Sequence, residues 1–324
     1  MRIANYIREF HRQIAPFLMK KLPKMITHRC CIRISPKEIS LIHIEKTNNQ
    51  IKLFMAESIA YDGASNLLLV LVDIVNKHKL QFIPVYWLLS PEDYQIFLIE
   101  SLPVKPEEFR DALGWHIKSL ISYPLEEAVL DYFKLPAKTA QNNHMVAAVV
   151  ARKSHLAKMA GIFHESGLSL TAIDIPELAL RNLSALYEID EKSTAFIYFN
   201  ERLAILNITH DKHLYFTRHI NLTITNEFQD KDYEQFGLDI LRYFDYYQSQ
   251  WRHPNPGRIF VASEKRNAVE MASFLSDYLL VSVEPFSLKP LDIDRTKVDL
   301  LEKKYLLTLG CALREEERDV KTGN

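Results

Sequence analysis

The chain has 324 residues, 48% of them hydrophobic, with 40 lysines and arginines against 41 aspartates and glutamates, a formal net charge of −1. That length and apolar content can bury a sizeable core in two lobes or domains, and near-neutrality excludes a globally basic nucleic-acid binder. Three cysteines, two of them adjacent at Cys30 and Cys31, offer neither a disulfide framework nor metal spacing and fit a reducing compartment.

Residues 1–28 stand apart. Ile3, Ile7, Phe10, Ile14 and Phe17 recur at three- and four-residue steps and so share one helical face. Arg2, Arg8, Arg12, Lys20, Lys21 and Lys24 face a single acid, Glu9, while Pro16 and Pro23 interrupt the segment. Two readings follow: an arm packed on the body, or a basic amphipathic helix lying on an anionic membrane or docking a partner. Apolar runs such as Leu67 to Val72 fall far short of the roughly 20 residues that span a bilayer. No apolar core with a small-residue cleavage site marks a secretory leader.

The body opens with strand patterns at Cys30–Ile34, Glu38–Glu45 and Lys52–Ala60, then a helix over Ser65–Lys79 and a buried strand at Phe82–Leu89. The second half repeats this order. Strands are expected at Thr194–Phe199, Leu203–Thr209 and Leu214–Ile220, a long helix over Asp232–Trp251, and a strand at Arg258–Ala262. A helix at Asn267–Leu279 and a strand at Leu280–Glu284 complete it. Two copies of three strands, a helix and a strand imply an internal duplication in an α/β architecture.

Between the copies lies an inserted piece, roughly Ser90–Leu135. Pro106 and the acids Glu107 and Glu108 predict a helix start, and Phe109, Leu113, Ile117, Leu120 and Ile121 give it an apolar stripe that ends before Pro124. Val129–Leu135 reads as a strand and Met145–Ala151 as another that enters the main core. Ser154 begins a helix closed by Gly167, Leu168–Ile175 is a strand, and Pro176-Glu177 opens the next helix. The expected divisions are 1–28, a first lobe over 29–175 that contains the insert at about 90–135, a second lobe over 176–290, and a C-terminal helix and tail over 291–324.

Few residues suggest chemistry. His210, His213 and His219 sit on or beside a predicted hairpin, where alternation scatters them across faces rather than gathering them on a metal. Asp292 and Asp294 alternate in a polar loop without a partner motif. The eight glycines never cluster as a phosphate-cradling loop requires. Arg33 and Lys37 offer point charges for an anion; the plainer reading is a turn with solvated basic residues. Phe236, Ile240, Tyr243, Phe244 and Tyr247 share one face of the long helix, a core stripe rather than a base-stacking platform.

Several stretches carry a resemblance: Glu107–Trp115, Tyr123–Tyr132, Ala147–Arg152, Ser166-Gly167-Leu168, Ala172-Ile173-Asp174 and Leu241–Gln250, with Phe244-Asp245-Tyr246-Tyr247 at its centre. From about residue 29 to 286 the chain resembles the actin-like pilus assembly proteins, PilM of type IV pili and especially MshI of MSHA pili. The resemblance implies an α/β, actin-like (ribonuclease H-like, duplicated) two-lobed fold, with the insert as a side subdomain placed as in FtsA. In that superfamily the first turn of each lobe carries Asp-x-Gly, the Asp serving Mg²⁺ and the Gly admitting phosphate to the backbone. At those places this chain has Arg33 and Ser35, followed by Lys37, and Tyr198 and Asn200, followed by Glu201. The family's Ser-Gly-Gly on the adenine side is replaced by Ala262-Ser263-Glu264-Lys265.

With all three elements altered, the resemblance implies a non-catalytic pseudo-ATPase that needs no cofactor. The expected role is an adaptor at the cytoplasmic face of the inner membrane, binding the PilN- or MshJ-like cytoplasmic tail of a single-pass assembly subunit. Two rivals are a working nucleotide switch of the actin and Hsp70 superfamily, and a self-associating filament former like FtsA.

Overall fold

The computed structural model describes residues 28–47, 50–61, 66–138, 143–187, 192–222, 230–264, 267–279 and 281–315. The expected membrane- or partner-contact residues Arg2 to Lys24, and Lys265, lie outside these.

The first lobe begins with β1 (His28–Ile34), β2 (Glu38–Thr47), β3 (Gln50–Ala60), α1 (Leu67–His78) and β4 (Pro84–Leu88). An inserted unit follows: β5 (Tyr94–Glu100), α2 (Phe109–Ile117), β6 (Ala128–Lys138) and β7 (His144–Arg152). The first lobe resumes with α3 (Lys153–Glu165) and β8 (Ser169–Asp174), and α4 (Pro176–Ser184) leads out of it. The second lobe contains β9 (Thr194–Phe199), β10 (Leu203–His210), β11 (His213–Asn221), α5 (Asp230–Trp251), β12 (Arg258–Ser263), α6 (Ala268–Leu279) and β13 (Val283–Pro285). The chain closes with α7 (Arg295–Lys304) and α8 (Leu306–Ala312).

The duplication is explicit in the sheets. One has the order β3-β2-β1-β4-β8 and the other β11-β10-β9-β12-β13. In both, the first three strands in sequence pair antiparallel and the last two join in parallel. The central strands are apolar along their length because both faces are covered; all six residues of β9 are buried. On its outer face the first sheet packs Ile32, Leu41 and Trp87 against α1 and α3. The second packs Ile197, Phe199 and Leu206 against α5 and α6, where Phe236, Ile240, Phe244, Tyr247 and Trp251 form the buried stripe.

The two inner faces share one core. Cys31, Tyr86 and Leu88 of the first sheet and Phe196, Tyr198 and Phe260 of the second meet α4 and α8, which lie between them. At the crossing of α4 and α8 a β-carbon on Gly310 would stand 2.5 Å from the Ala179 carbonyl oxygen and 2.9 Å from its carbon. Only glycine allows that approach, and the Gly310 carbonyl accepts a 2.9 Å hydrogen bond from Asn182 Nδ2.

Several boundaries differ from expectation. β7 pairs with both β5 and β6 in a third sheet of order β5-β7-β6, so the inserted unit runs over 94–152 rather than ending near 135. The apolar Met145–Ala151 stretch reads as a main-core strand because it is this small sheet's middle strand, with α2 on one face and both lobes on the other. α2 starts at Phe109, and Pro106 stands in the turn before it. The C-terminal piece holds two helices, parted at Tyr305. Gly167, at φ +85°, and Pro176 at the head of α4 take the positions expected of them.

The crossing generates a test. Gly310→Ala is expected to cost about 1–3 kcal/mol, because overpacking here meets backbone rather than a side chain that can move. Gly161→Ala, on α3 with nothing within 4 Å of its added carbon, is expected to be neutral or to stabilise by up to about 1 kcal/mol through helix propensity. Urea unfolding of both variants checks the contrast.

Candidate functional site

Strand alternation decides which side chains meet between the lobes. Side chains two apart share a face, so Arg33 continues the inward row of Cys31, Tyr198 that of Phe196, and Glu264 that of Phe260 and Ala262. The three rows end at one place. Arg33 Nη1 lies 2.5 Å from Glu264 Oε1, the side chains retaining 17% and 19% exposure. Tyr198, fully buried beside them, directs a hydroxyl that meets hydrogen-bond geometry with no partner. Burial opposes the charge on Arg33, but the neighbouring Tyr198 and Glu264 outweigh it and hold the guanidinium above its ordinary pKa. The Tyr198 phenol is pushed well above the usual tyrosine value, by burial first and the Glu264 charge second.

The two turns have the same build. Ser35 N donates to Glu38 O at 2.9 Å, and Asn200 N donates to Leu203 O at 3.0 Å. In the first, Ser35 Oγ also donates to Glu38 O at 3.0 Å. In the second, Asn200 Oδ1 accepts from the N–H groups of Arg202 and Leu203, both at 2.8 Å. Those are the backbone donors that an anion at this turn would need, and the chain's own amide already holds them. Neither turn uses a positive φ. Lys37 and Glu201 are exposed at the tips, and Ser263 is buried.

A magnesium nucleotide does not fit these residues. A guanidinium stands at the first-turn position where a metal-ordering carboxylate would be needed, and Glu264 is paired with that same guanidinium. The reading of Arg33 as a solvated turn residue is corrected: its inward row carries it into the cleft, against Glu264.

The remaining candidates scatter. His210 and His213 face each other across the β10–β11 hairpin, while His219 lies farther along β11. Among the described residues no group of three or more His, Cys, Asp or Glu is placed to hold a metal ion. Asp294 caps α7 through the Thr296 N–H at 3.0 Å, and this bonding with Thr296 lowers its pKa. Asp292 Oδ2 accepts from Gln50 Nε2 at 3.5 Å.

A buried polar junction has no counterpart in the sequence reading. Glu177, fully buried on α4, accepts from the Tyr94 hydroxyl at 2.6 Å and lies 2.6 Å from His219 Nε2. Its carbonyl accepts from Asn207 Nδ2 at 2.8 Å. One carboxylate thus ties the inserted sheet to the second lobe. The available signal was Glu177 itself, an acid in the first turn of a helix with an apolar neighbour on either side. Above this junction a groove of about 310 Å³ runs between β5 and β11, lined by Tyr94, Ile96, Leu98, Thr217, Arg218 and His219 among others.

The fold is that of the actin-like ATPases. A PilM–PilN type IV pilus biogenesis complex superposes with a TM-score of 0.67 at 15% identity, over 90% of this chain and 98% of that one. A Bacteroides thetaiotaomicron protein with an actin-like ATPase fold and unknown function superposes with a TM-score of 0.54 at 11% identity, over 91% and 99%. No protein-family model matches the sequence. Nor does any curated protein.

Proposed function

We propose that the protein is a non-catalytic, actin-like adaptor in a pilus or related secretion assembly platform of the type IV or MSHA kind. It acts at the cytoplasmic face of the inner membrane and binds the short cytoplasmic tail of a single-pass subunit. The observation that carries this reading is the pairing of Arg33 with Glu264, with Tyr198 buried beside them, at the place where this fold carries out nucleotide chemistry. A two-lobed frame with an inserted unit then has protein binding as its remaining use. The PilM–PilN type IV pilus biogenesis complex, one chain of which has this fold, supports the same direction.

An extended tail is best accommodated at the inserted unit. Among the described residues β5 has one strand neighbour, β7, so its other edge offers backbone groups to an added strand. The groove beside that edge lies against β11 of the second lobe. The basic segment over residues 1–28 is assigned a peripheral contact with anionic lipid: its six basic residues less one acid supply about 1 kcal/mol of attraction each near such a surface, before screening.

A second reading, self-association through the insert, is favoured by Trp115 on α2, which is 67% exposed, and by Leu120 just beyond it. Concentration-dependent sedimentation that Trp115→Ala abolishes would favour it.

Pull-down with tail peptides encoded by neighbouring genes tests the adaptor. One tail is expected to be retained, and Arg218→Glu in the groove to reduce its capture about tenfold or more, as the loss of one charge-assisted contact allows. Retention of no tail, with assembly intact in cells carrying Arg218→Glu, would refute the reading. Flotation with anionic liposomes tests the membrane contact: a truncation lacking residues 1–28 is expected to lose binding, and equal binding would remove that part of the proposal.

A further inference from the structure

Arg33 lies within β1 of the first sheet, and Glu264 is the first residue beyond β12 of the second. Arg33 sits in β1 with ladder partners on both sides, Ser40 of β2 and Leu88 of β4. Glu264 follows Ser263, which pairs with Phe199 of β9. The charges are therefore presented by backbones that have little freedom to follow one another if the lobes separate. Both side chains are mostly removed from water. A pair in that setting contributes modestly while intact, but removing one partner strands a desolvated charge. The buried hydroxyl of Tyr198, close enough to feel both charges, adds a second desolvated polar group at the same place.

We propose that the Arg33–Glu264 ion pair is an interlobe clasp, which holds the two lobes closed over the cleft and so makes closure independent of any bound ligand. The pivot is the α4–α8 crossing, where Gly310 meets Ala179 and both sheets share a core. The clasp closes the frame at the ends of the inward strand rows. Opening it parts Arg33 from Glu264 beside the two turns, residues 34–38 and 199–203, whose tips are already exposed, loosens the backbone hydrogen bonds that close those turns, and leaves the core around α4 and α8 buried. The inference deepens the non-catalytic reading of this cleft and is independent of tail binding.

Hydrogen exchange on the full chain tests it, with four proteins compared: the wild type, Glu264→Gln, the neutral double variant Arg33→Gln/Glu264→Gln, and the charge swap Arg33→Glu/Glu264→Arg. Glu264→Gln is expected to speed exchange in both turns by about tenfold or more, while α4 and α8 keep wild-type protection. The double variant, which strands no charge and so guards against misfolding of the single one, is expected to show the same opening. The swap is expected to return both turns to within about threefold of wild type. Turns of the double variant that exchange at the wild-type rate would overturn the clasp. So would a swap that leaves them as fast as the neutral variants. Loss of tail capture in the pull-down, with these exchange patterns unchanged, would count against the adaptor and leave the clasp standing.

Discussion

Two sheets that each need cover on their inner face, with one pair of helices to provide it, set the terms for everything else in this molecule. α4 leaves the first lobe and lies on the second sheet, while α8 returns from the C-terminal end and lies on the first. The helices must then pack on each other, and they do so closely enough that residue 310 has room for no side chain. Because the core is shared, the lobes are not free bodies on a linker. The inward strand rows are held opposite one another, and whatever stands at their ends is brought together.

At those ends the chemistry is electrostatic and internal. A phosphate-binding cleft needs free backbone donors at its turns and carboxylates to order a metal. Here Asn200 takes the donors of its own turn, and Arg33 takes the carboxylate of Glu264. Each substitution alone would weaken a nucleotide site. Together they form contacts with a geometry of their own, which is the ground for reading the cleft as fastened rather than merely eroded.

Much of the fold was legible in the sequence, because the duplication writes the same periodicity twice: apolar central strands, an amphipathic helix after the third strand, then a parallel strand. Gly167 and Pro176 announced a helix end and a helix start through backbone chemistry alone. The insert was harder. Its middle strand, β7, is as apolar as a main-sheet strand, since it too is covered on both faces, and periodicity cannot tell which sheet a buried strand joins. β5 was not recognised, because Tyr94–Glu100 lacks strict alternation where both its faces are partly buried. In the site, Arg33, Tyr198 and Glu264 were each singled out, but for what they had replaced. Their mutual contact depends on the angle between two sheets, which no local pattern encodes. The same holds for Glu177, whose partners Tyr94 and His219 lie on separate units.

Titration calorimetry of Mg-ATP against the full chain addresses the state of this cleft most directly. With Arg33 neutralising Glu264 and the turn donors taken, we expect no saturable heat up to about 1 mM nucleotide, a Kd weaker than about −4 kcal/mol of binding. A low-micromolar Kd that depends on Mg²⁺ would contradict it, since tight binding would require Arg33 and Glu264 to part and a metal to be held without the carboxylates this fold uses for it.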